Sequence, residues 1–362
     1  MDKGPSTALE SKEKTSAIRV LVVDDSAFMR FTIAKYLDEV PEIYVVGTAR
    51  DGQEALELIP KLDPDVITLD IEMPRLDGIS TLREIMAEYP RPVIMLSSLT
   101  SDGALETVQA LTLGAVDFIE KPANKANMAL VMSDVAAKII RSVHAKVWTL
   151  TKANPNRIVP KPAAPAGKAT RVKHSQERVV VIGTSTGGPR ALNTVIPALP
   201  GNLQAPVLVV QHMPAGFTNS LAERLDSLSA LVVKEAEQGD ILEVGRCLIA
   251  PGGFHMTLDN FGVVNLNQNP PVHGVRPSAD VTMLSVARLY GAEVIGVVLT
   301  GMGSDGTNGA SLIHSSGGKV VAEAESTCVV WGMPRSVVEA GVADYVVPLG
   351  EVASLIEKLV QG

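Results

Sequence analysis

Short runs of β-branched and apolar residues recur along this chain, and most of them stop at a polar residue. IRVLVV is followed by Asp24-Asp25, DVITL by Asp70, PVIML by Ser97-Ser98, and AVDFIE by Lys121-Pro122. Between the runs lie amphipathic stretches such as AFMRFTIAKYLDEV, GQEALELIPKL and GISTLREIMAEY. Strand-then-helix units in succession predict a parallel sheet with helices on both faces. In such a sheet the strand ends converge on one edge, where α/β folds place their sites. The polar strand ends therefore predict a site before any other feature is weighed.

The pattern runs twice. The first set begins at Ile18 and comprises IRVLVV, IYVVGT, DVITLD, PVIMLS and AVDFIE, with NMALVMSDVAAKIIRSV as its fifth helix. Residues 146–176 then carry Pro155, Pro160, Pro162 and Pro165 and no acidic residue, which reads as an extended spacer. A second set starts at Arg178 with VVVIG, APVLVVQ, EVIGVVLT and KVVAEA. Between about 231 and 272 the runs shorten (LVVKEA, RCLIAPGG, FHMTLD, NFGVVNL), which predicts an antiparallel elaboration on one sheet edge. The expected organisation is a flexible tail over 1–17, one α/β domain over 18–140, a linker over 141–177 and a second, larger α/β domain over 178–362. A chain of 362 residues is long enough for two proper cores.

Composition excludes several classes of function. The formal net charge is −8, and acidic residues outnumber basic ones from Arg178 onward, so a general nucleic-acid surface is not expected. Cys247 and Cys328 sit far apart in apolar contexts, which predicts buried thiols in a reducing compartment rather than a disulfide or zinc site. The first residues carry no apolar core segment, so no signal peptide is expected, and no run of about 18 apolar residues occurs in the sequence. A soluble, cytoplasmic protein without membrane insertion is expected.

In the first domain, Asp24, Asp25 and Asp70 should meet at one edge, where three carboxylates repel unless a cation sits among them. Oxygen ligands at that density suit Mg²⁺. Ser97 offers a hydroxyl and Lys121 an ammonium at the same edge. A carboxylate nucleophile, a hard cation, a hydroxyl and a lysine together suit phosphoryl transfer onto an aspartate.

In the second domain three polar clusters interrupt the strands. VVVIGTSTGGPR holds Ser185, VVQHMP holds His212, and VVLTGMGSDG holds Asp305. A Ser, a His and an Asp at one edge are what nucleophilic acyl transfer needs. Gly183, Ser185 and Gly187 also fit Gly-x-Ser-x-Gly, which exposes a serine on a sharp strand-to-helix turn. The chain order Ser…His…Asp differs from the Ser…Asp…His of α/β-hydrolases. On spacing alone, dinucleotide binding and an ordinary turn stay open. Against nucleotide binding, the glycines run Gly-x-x-x-Gly-Gly, the next strand ends in Gln211-His212 rather than an acid, and no P-loop is present. His255, in APGGFHM, is a rival base. His144, His174, His273 and His314 read as solvated or structural.

Two resemblances narrow these readings. VVDDSAFMR, LDIEMPRLDG, MLSS and FIEKPA resemble the response-regulator receiver domain of two-component signalling, over roughly 18–140. That likeness implies a flavodoxin-like five-stranded fold with Asp70 as phospho-acceptor and Asp24, Asp25, Asp70 and the Glu72 main-chain carbonyl around Mg²⁺. It places Ser97 and Lys121 on the phosphoryl group and Phe118 at the aromatic switch position. IGTSTGGP, VVQHMPAGFT, APGGFHM, LTGMGSDG and VVWGMPRSV resemble the methylesterase domain of bacterial chemotaxis, over roughly 178–360. This implies a doubly wound domain with Ser185, His212 and Asp305 as catalytic residues and no cofactor of its own. Thr186 and the Met302 main-chain N–H are linked to the oxyanion, and His255 and Arg276 serve the substrate or the structure. Thr184 replaces the family's usual alanine, and Trp331 stands where tyrosine is commoner.

The implied activity is phosphorylation-activated hydrolysis of γ-glutamyl methyl esters on methyl-accepting chemotaxis receptors, with release of methanol. Deamidation of receptor glutamines is implied as well. A histidine kinase is the implied phosphodonor, and a monomer is expected. A phospho-regulated docking protein and a receiver-bearing transcription factor are the competing classes. The intact Ser/His/Asp set argues against the first, and the acidic second half against the other.

Overall fold

The computed structural model describes residues 17–98, 100–121, 128–147 and 178–362. The chain divides into two compact units between Pro155 and Asn156. Each builds its own sheet.

The first unit runs β1 (Ile18–Val23), α1 (Ala27–Asp38), β2 (Ile43–Ala49), α2 (Gly52–Leu62), β3 (Val66–Asp70), α3 (Gly78–Glu88), β4 (Val93–Ser97), α4 (Ser101–Leu113), β5 (Asp117–Glu120) and α5 (Met128–Ser142). The strands form one parallel sheet in the order β2-β1-β3-β4-β5. β3 and β4 are buried along their whole length, which is why they read as nearly unbroken apolar runs. On one face Val20, Val22, Ile94 and Ile119 pack against Ile33 and Leu37 of α1 and Val135 and Ile139 of α5. Four helices begin with a polar cap just past a strand or loop. Ser26, Asp51, Asp77 and Thr100 accept from the N–H groups of Met29, Glu54, Ser80 and Gly103. Such caps satisfy N–H groups that have no partner inside the helix, and they fix where each helix leaves the functional edge.

The second unit contains β6 (Val179–Thr184), α6 (Gly188–Val195), β7 (Val207–Gln211), α7 (Phe217–Leu228), β8 (Val232–Glu235), β9 (Arg246–Ile249), β10 (His255–Leu258) and β11 (Val264–Asn267). It continues with α8 (Ala279–Tyr290), β12 (Val294–Val298), α9 (Thr307–Ser315), β13 (Lys319–Glu323), α10 (Met333–Glu339), β14 (Tyr345–Val347) and α11 (Leu349–Gln361). Seven strands form a sheet in the order β14-β13-β12-β6-β7-β9-β8. The chain leaves β6 toward β7 on one side and later returns to place β12 on the other. Strand order therefore reverses around β6, and a crevice opens beyond the strand ends at that switch point. Val181, Val298, Met283, Val286, Ile313 and Met333 belong to the core beneath it.

Two expectations need correction. The expected antiparallel elaboration within 231–272 is present but takes in only part of that stretch. β9 pairs with β7 and β8 in parallel and completes the main sheet. Antiparallel pairing among these strands is confined to β10 and β11, which form a separate two-stranded sheet. Short runs between turn signals carry no information about strand direction, and the ten-residue loop before β9 is long enough to return the chain for parallel pairing. Second, α5 runs to Ser142, two residues into the stretch assigned to the linker. Most of that linker, with His174, and the 1–16 tail lie outside the described residues. Cys247 and Cys328 are buried, as expected. Among the described residues no helix is long and apolar enough to cross a membrane.

Candidate functional site

At the edge of the second sheet, register brings the expected residues together. Thr184, the last residue of β6, lies opposite Gln211, the last of β7. Ser185 and His212 are the next residues on each chain, and His212 N donates to Thr184 O at 3.2 Å. On the other flank the Ser185 N–H donates to Thr300 O, just past β12, at 3.0 Å. The Ser185 carbonyl accepts from Gly188 N at 2.8 Å and from the buried Gln211 amide at 2.9 Å. The serine peptide is thus pinned from both neighbouring strands.

Two glycines make this turn possible. Gly187 has φ +80°, and a Cβ there would lie 2.5 Å from Val329 Cβ. A Cβ on Gly301 would lie 2.4 Å from Met333 Sδ and 2.8 Å from Ser185 Cβ. Either side chain would displace the serine turn or the loop beside it.

His212 Nε2 lies 2.7 Å from Asp305 Oδ2. Asp305 is buried, and four further donors meet it. Oδ1 accepts from Ser278 Oγ at 2.8 Å, Asp280 N at 3.0 Å and Gly306 N at 3.1 Å, and Oδ2 accepts from Ala279 N at 2.6 Å. The carboxylate caps the N-terminus of α8, where unsatisfied N–H groups and the helix dipole favour negative charge. Burial alone would raise its pKa, but the hydrogen bond and charge of His212, with the Asp280 N–H and Ser278, bring it below the ordinary value. An ionised Asp305 only accepts, so His212 Nε2 carries a proton and Nδ1 is the nitrogen left for another partner.

The remaining expected positions separate into groups. Met302 sits in the loop between Gly301 and Gly303, and Thr186 O accepts from Thr300 Oγ1 at 3.0 Å. The Trp331 backbone bridges to Gly301, and the Arg335 guanidinium lies 6.0 Å from its ring centroid. His255, the rival base, is buried in β10 with Nε2 3.2 Å from Pro270 O. Arg276 Nη1 donates to Gln268 O and Asn269 O. These two side chains both grip the segment 268–270, and among the described residues His255 is not paired with a carboxylate as His212 is. His273 Nε2 lies 3.1 Å from Asp280 Oδ2, and His314 pairs with Asp344. Asp280, His273 and Asp305 lie close enough together to suggest a cation site. Five donors on Asp305 leave its lone pairs engaged, which argues against one.

Ser278, Thr300 and Glu323 are polar residues at this edge that the sequence reading left out. Ser278 follows a proline and precedes an amphipathic run, an N-cap signal. Glu323 ends a buried strand, as Asp70 does, and the rule that singled out Asp70 applies to it equally. It is fully buried, its Oε2 accepts from Thr300 N at 2.8 Å and its Oε1 from Thr327 Oγ1 at 2.9 Å. Burial raises its pKa, against the lowering effect of these hydrogen bonds and of the Arg190 charge.

The first unit carries a different cluster. Carboxylate oxygens of Asp24, Asp25 and Asp70 lie within 4.8 Å of one another. Lys121 Nζ is 2.7 Å from Asp70 Oδ2 and 3.1 Å from Asp24 Oδ2. Burial raises the Asp70 pKa to about 6; Lys121 opposes this, and the Asp24 and Asp25 charges add to it. Ser97 Oγ turns toward α4, meeting Thr107 Oγ1 at 2.6 Å and Gly103 O at 3.2 Å. The Glu72 side chain accepts from Ser98 Oγ at 2.9 Å. Phe118 is buried, with the Lys138 ammonium 5.3 Å from its ring centroid.

Comparison with known proteins agrees with this division. Residues 20–132 match the response regulator receiver domain family, and residues 180–356 match the CheB methylesterase family. The protein-glutamate methylesterase/protein-glutamine glutaminase of Symbiobacterium thermophilum is 52% identical over 351 residues, covering 95% of this chain and 97% of that one. The protein of the same name from Thermotoga maritima is 48% identical over 346 residues, covering 95% and 98%. The crystal structure of the Thermotoga maritima CheB methylesterase catalytic domain aligns with a TM-score of 0.50 at 50% identity, covering 51% of this chain and 99% of that one. With this identity along nearly its whole length, the chain belongs to the family of two-domain protein-glutamate methylesterases/protein-glutamine glutaminases, a receiver joined to a CheB methylesterase domain.

Proposed function

We propose that the chain hydrolyses γ-glutamyl methyl esters on methyl-accepting chemotaxis receptors, under control of phosphorylation at Asp70. The observation that carries the reading is the His212–Asp305 pair at the strand-end edge that also holds Ser185. Ser185 Oγ attacks the ester carbonyl carbon, and His212 Nδ1 takes its proton. Asp305, fixed by four other donors, holds the imidazole and stabilises its positive charge. The tetrahedral oxyanion is held by main-chain N–H groups around Met302 and by Thr186. Collapse expels methanol, protonated by His212. Water then attacks the acyl-serine with the same base, freeing glutamate and Ser185. A glutamine side chain enters the same cycle and releases ammonia.

In the receiver, the donor set fits a hard divalent cation. The Asp24, Asp25 and Asp70 oxygens converge, and Asp24 Oδ2 and Asp70 Oδ2 are buried with only the Lys121 ammonium alongside among the described residues. Asp24, Asp25, Asp70 and the Glu72 carbonyl would hold Mg²⁺, which supplies charge neutralisation for an incoming phosphoryl group. Asp70 accepts that group from a histidine kinase, Lys121 pairs with it, and Ser97 turns from Thr107 to meet it. Phosphorylation then relieves inhibition of the esterase by the receiver, a coupling of about 1–3 kcal/mol.

The test is methanol release from methylated receptor membranes, with and without acetyl phosphate, by wild type and Ser185→Ala. Wild type should release methanol faster with phosphodonor, and the variant should release almost none. Comparable release by the variant would remove the serine mechanism.

A further inference from the structure

Glu323 is a fully buried carboxyl that the proposed reaction does not use. Its place in the sheet explains what it does. Leu299 N, one residue past β12, donates to Gly183 O of β6. Successive N–H groups along a strand face opposite neighbours, so the Thr300 N–H faces β13. There β13 ends at Glu323, and its backbone offers no further rung. The Glu323 side chain supplies the missing acceptor at 2.8 Å, extending the ladder past the end of the strand.

Thr300 turns that rung into a junction. Its carbonyl accepts from Ser185 N at 3.0 Å and from Thr184 Oγ1 at 2.8 Å. Its hydroxyl lies 3.0 Å from Thr186 O and accepts from Val330 N at 3.0 Å. All three residues of the serine turn therefore bond to Thr300, and the loop leading to Trp331 bonds to it as well. Thr184, Thr300 and Glu323 are each at most 1% exposed, so water cannot replace a missing partner. The Thr184 hydroxyl adds a donor that an alanine at this position would lack.

We infer that Thr184, Thr300 and Glu323 form a buried brace that sets the position of the Ser185 hydroxyl, making them positioning residues for the esterase reaction. The inference rests on the reading of Ser185 as nucleophile. It assigns the brace to the attack step and not to ester binding.

The test compares full-length variants in methanol release from methylated receptor membranes, per folded molecule as judged by near-ultraviolet circular dichroism. Thr184→Val keeps shape and removes one donor. It should lower kcat about 3–10-fold with KM within about twofold, and Thr184→Ser should restore kcat. Glu323→Leu strands the Thr300 N–H and should lower kcat about 10–100-fold, whereas Glu323→Gln, whose amide oxygen still accepts, should stay within about threefold of wild type. The pH midpoint of kcat should not move, because the His212–Asp305 pair is untouched. Wild-type kcat in Thr184→Val, or a loss that Thr184→Ser does not restore, overturns the brace even if Glu323→Leu fails to fold. Ser185→Ala separates the two ideas. An inactive Ser185→Ala beside an unimpaired Thr184→Val refutes the brace alone, and an active Ser185→Ala refutes the nucleophile beneath it.

Discussion

Two buried aspartates stand at corresponding edges of the two sheets, and the protein treats them in opposite ways. Asp305 meets five donors and is held below the ordinary carboxylate pKa. Asp70 shares its corner with two other carboxylates and the Lys121 ammonium, and its pKa rises to about 6. A carboxylate whose lone pairs are all engaged is a poor nucleophile and a good orienting group. One left short of donors among like charges gains from a bond to phosphorus and from a nearby cation. The fold supplies both environments at strand ends; the difference lies in what meets the oxygens. At Asp305 it is the start of α8, and at Asp70 it is other side chains.

The comparison breaks first at the edge that holds Ser185, His212 and Asp305. Ser185→Ala should reduce methanol release by roughly 10³–10⁶-fold with KM little changed, if the three residues act as a unit. Asp305→Asn should cost on the order of 10⁴ in kcat, because an amide no longer fixes the imidazole. Both are read by steady-state methanol release. Activity near wild type in Asp305→Asn would mean that its five donors serve the fold alone.

The receiver edge should fail differently. Asp70→Asn should keep basal esterase activity while losing the response to acetyl phosphate, a loss of about 5–150-fold in stimulated rate. Chelation of divalent ions by EDTA should remove the same stimulation and leave the basal rate untouched, since Asp305 has no lone pair to offer a metal. A basal rate that fell with EDTA and returned with Mg²⁺ would show a cation acting in the second unit and erase the contrast.

Much of this edge chemistry was legible in the chain because strand periodicity places strand ends, and strand ends carry the site. Asp24, Asp70 and Lys121 came together for that reason, as did Ser185 and His212. What was not legible depends on partners remote in sequence. Nothing in VVLTGMGSDG says that Asp305 will cap a helix beginning at Ala279, and nothing in KVVAE says that Glu323 will complete the β12 ladder. The direction of β9 was lost for a related reason. A short apolar run fixes a strand, but its pairing is set by the strands already present. Ser97 shows the limit in rotamer terms. Its strand-end position was foreseen, but its hydroxyl faces Thr107 instead of Asp70.

The smallest expected effect concerns stability and tests the charge state of Asp305 directly. A carboxyl whose folded pKa is depressed adds stability above its unfolded pKa, about 3.9 for Asp. That stability is lost as pH falls through the folded pKa. At pH 7 Asp305→Asn replaces an acceptor-only group with an amide whose NH₂ must face the donor of Ala279 or those of Ser278 and Asp280. It should destabilise the second unit by about 2–3 kcal/mol, the scale of a hydrogen bond to a charged group. Below about pH 3.9 the unfolded chain takes up a proton at Asp305 while the folded carboxylate still resists it, so the difference between the two proteins should narrow as pH falls toward the folded pKa. Asp344, whose pKa is also lowered, against burial, by Val320 N, Lys319 and His314, contributes equally to both proteins and cancels. Thermal unfolding of wild type and Asp305→Asn from pH 7 to pH 3 reads the difference. A gap that stayed constant across that range would mean that folding does not shift the Asp305 pKa, and the contrast with Asp70 would then rest on geometry alone.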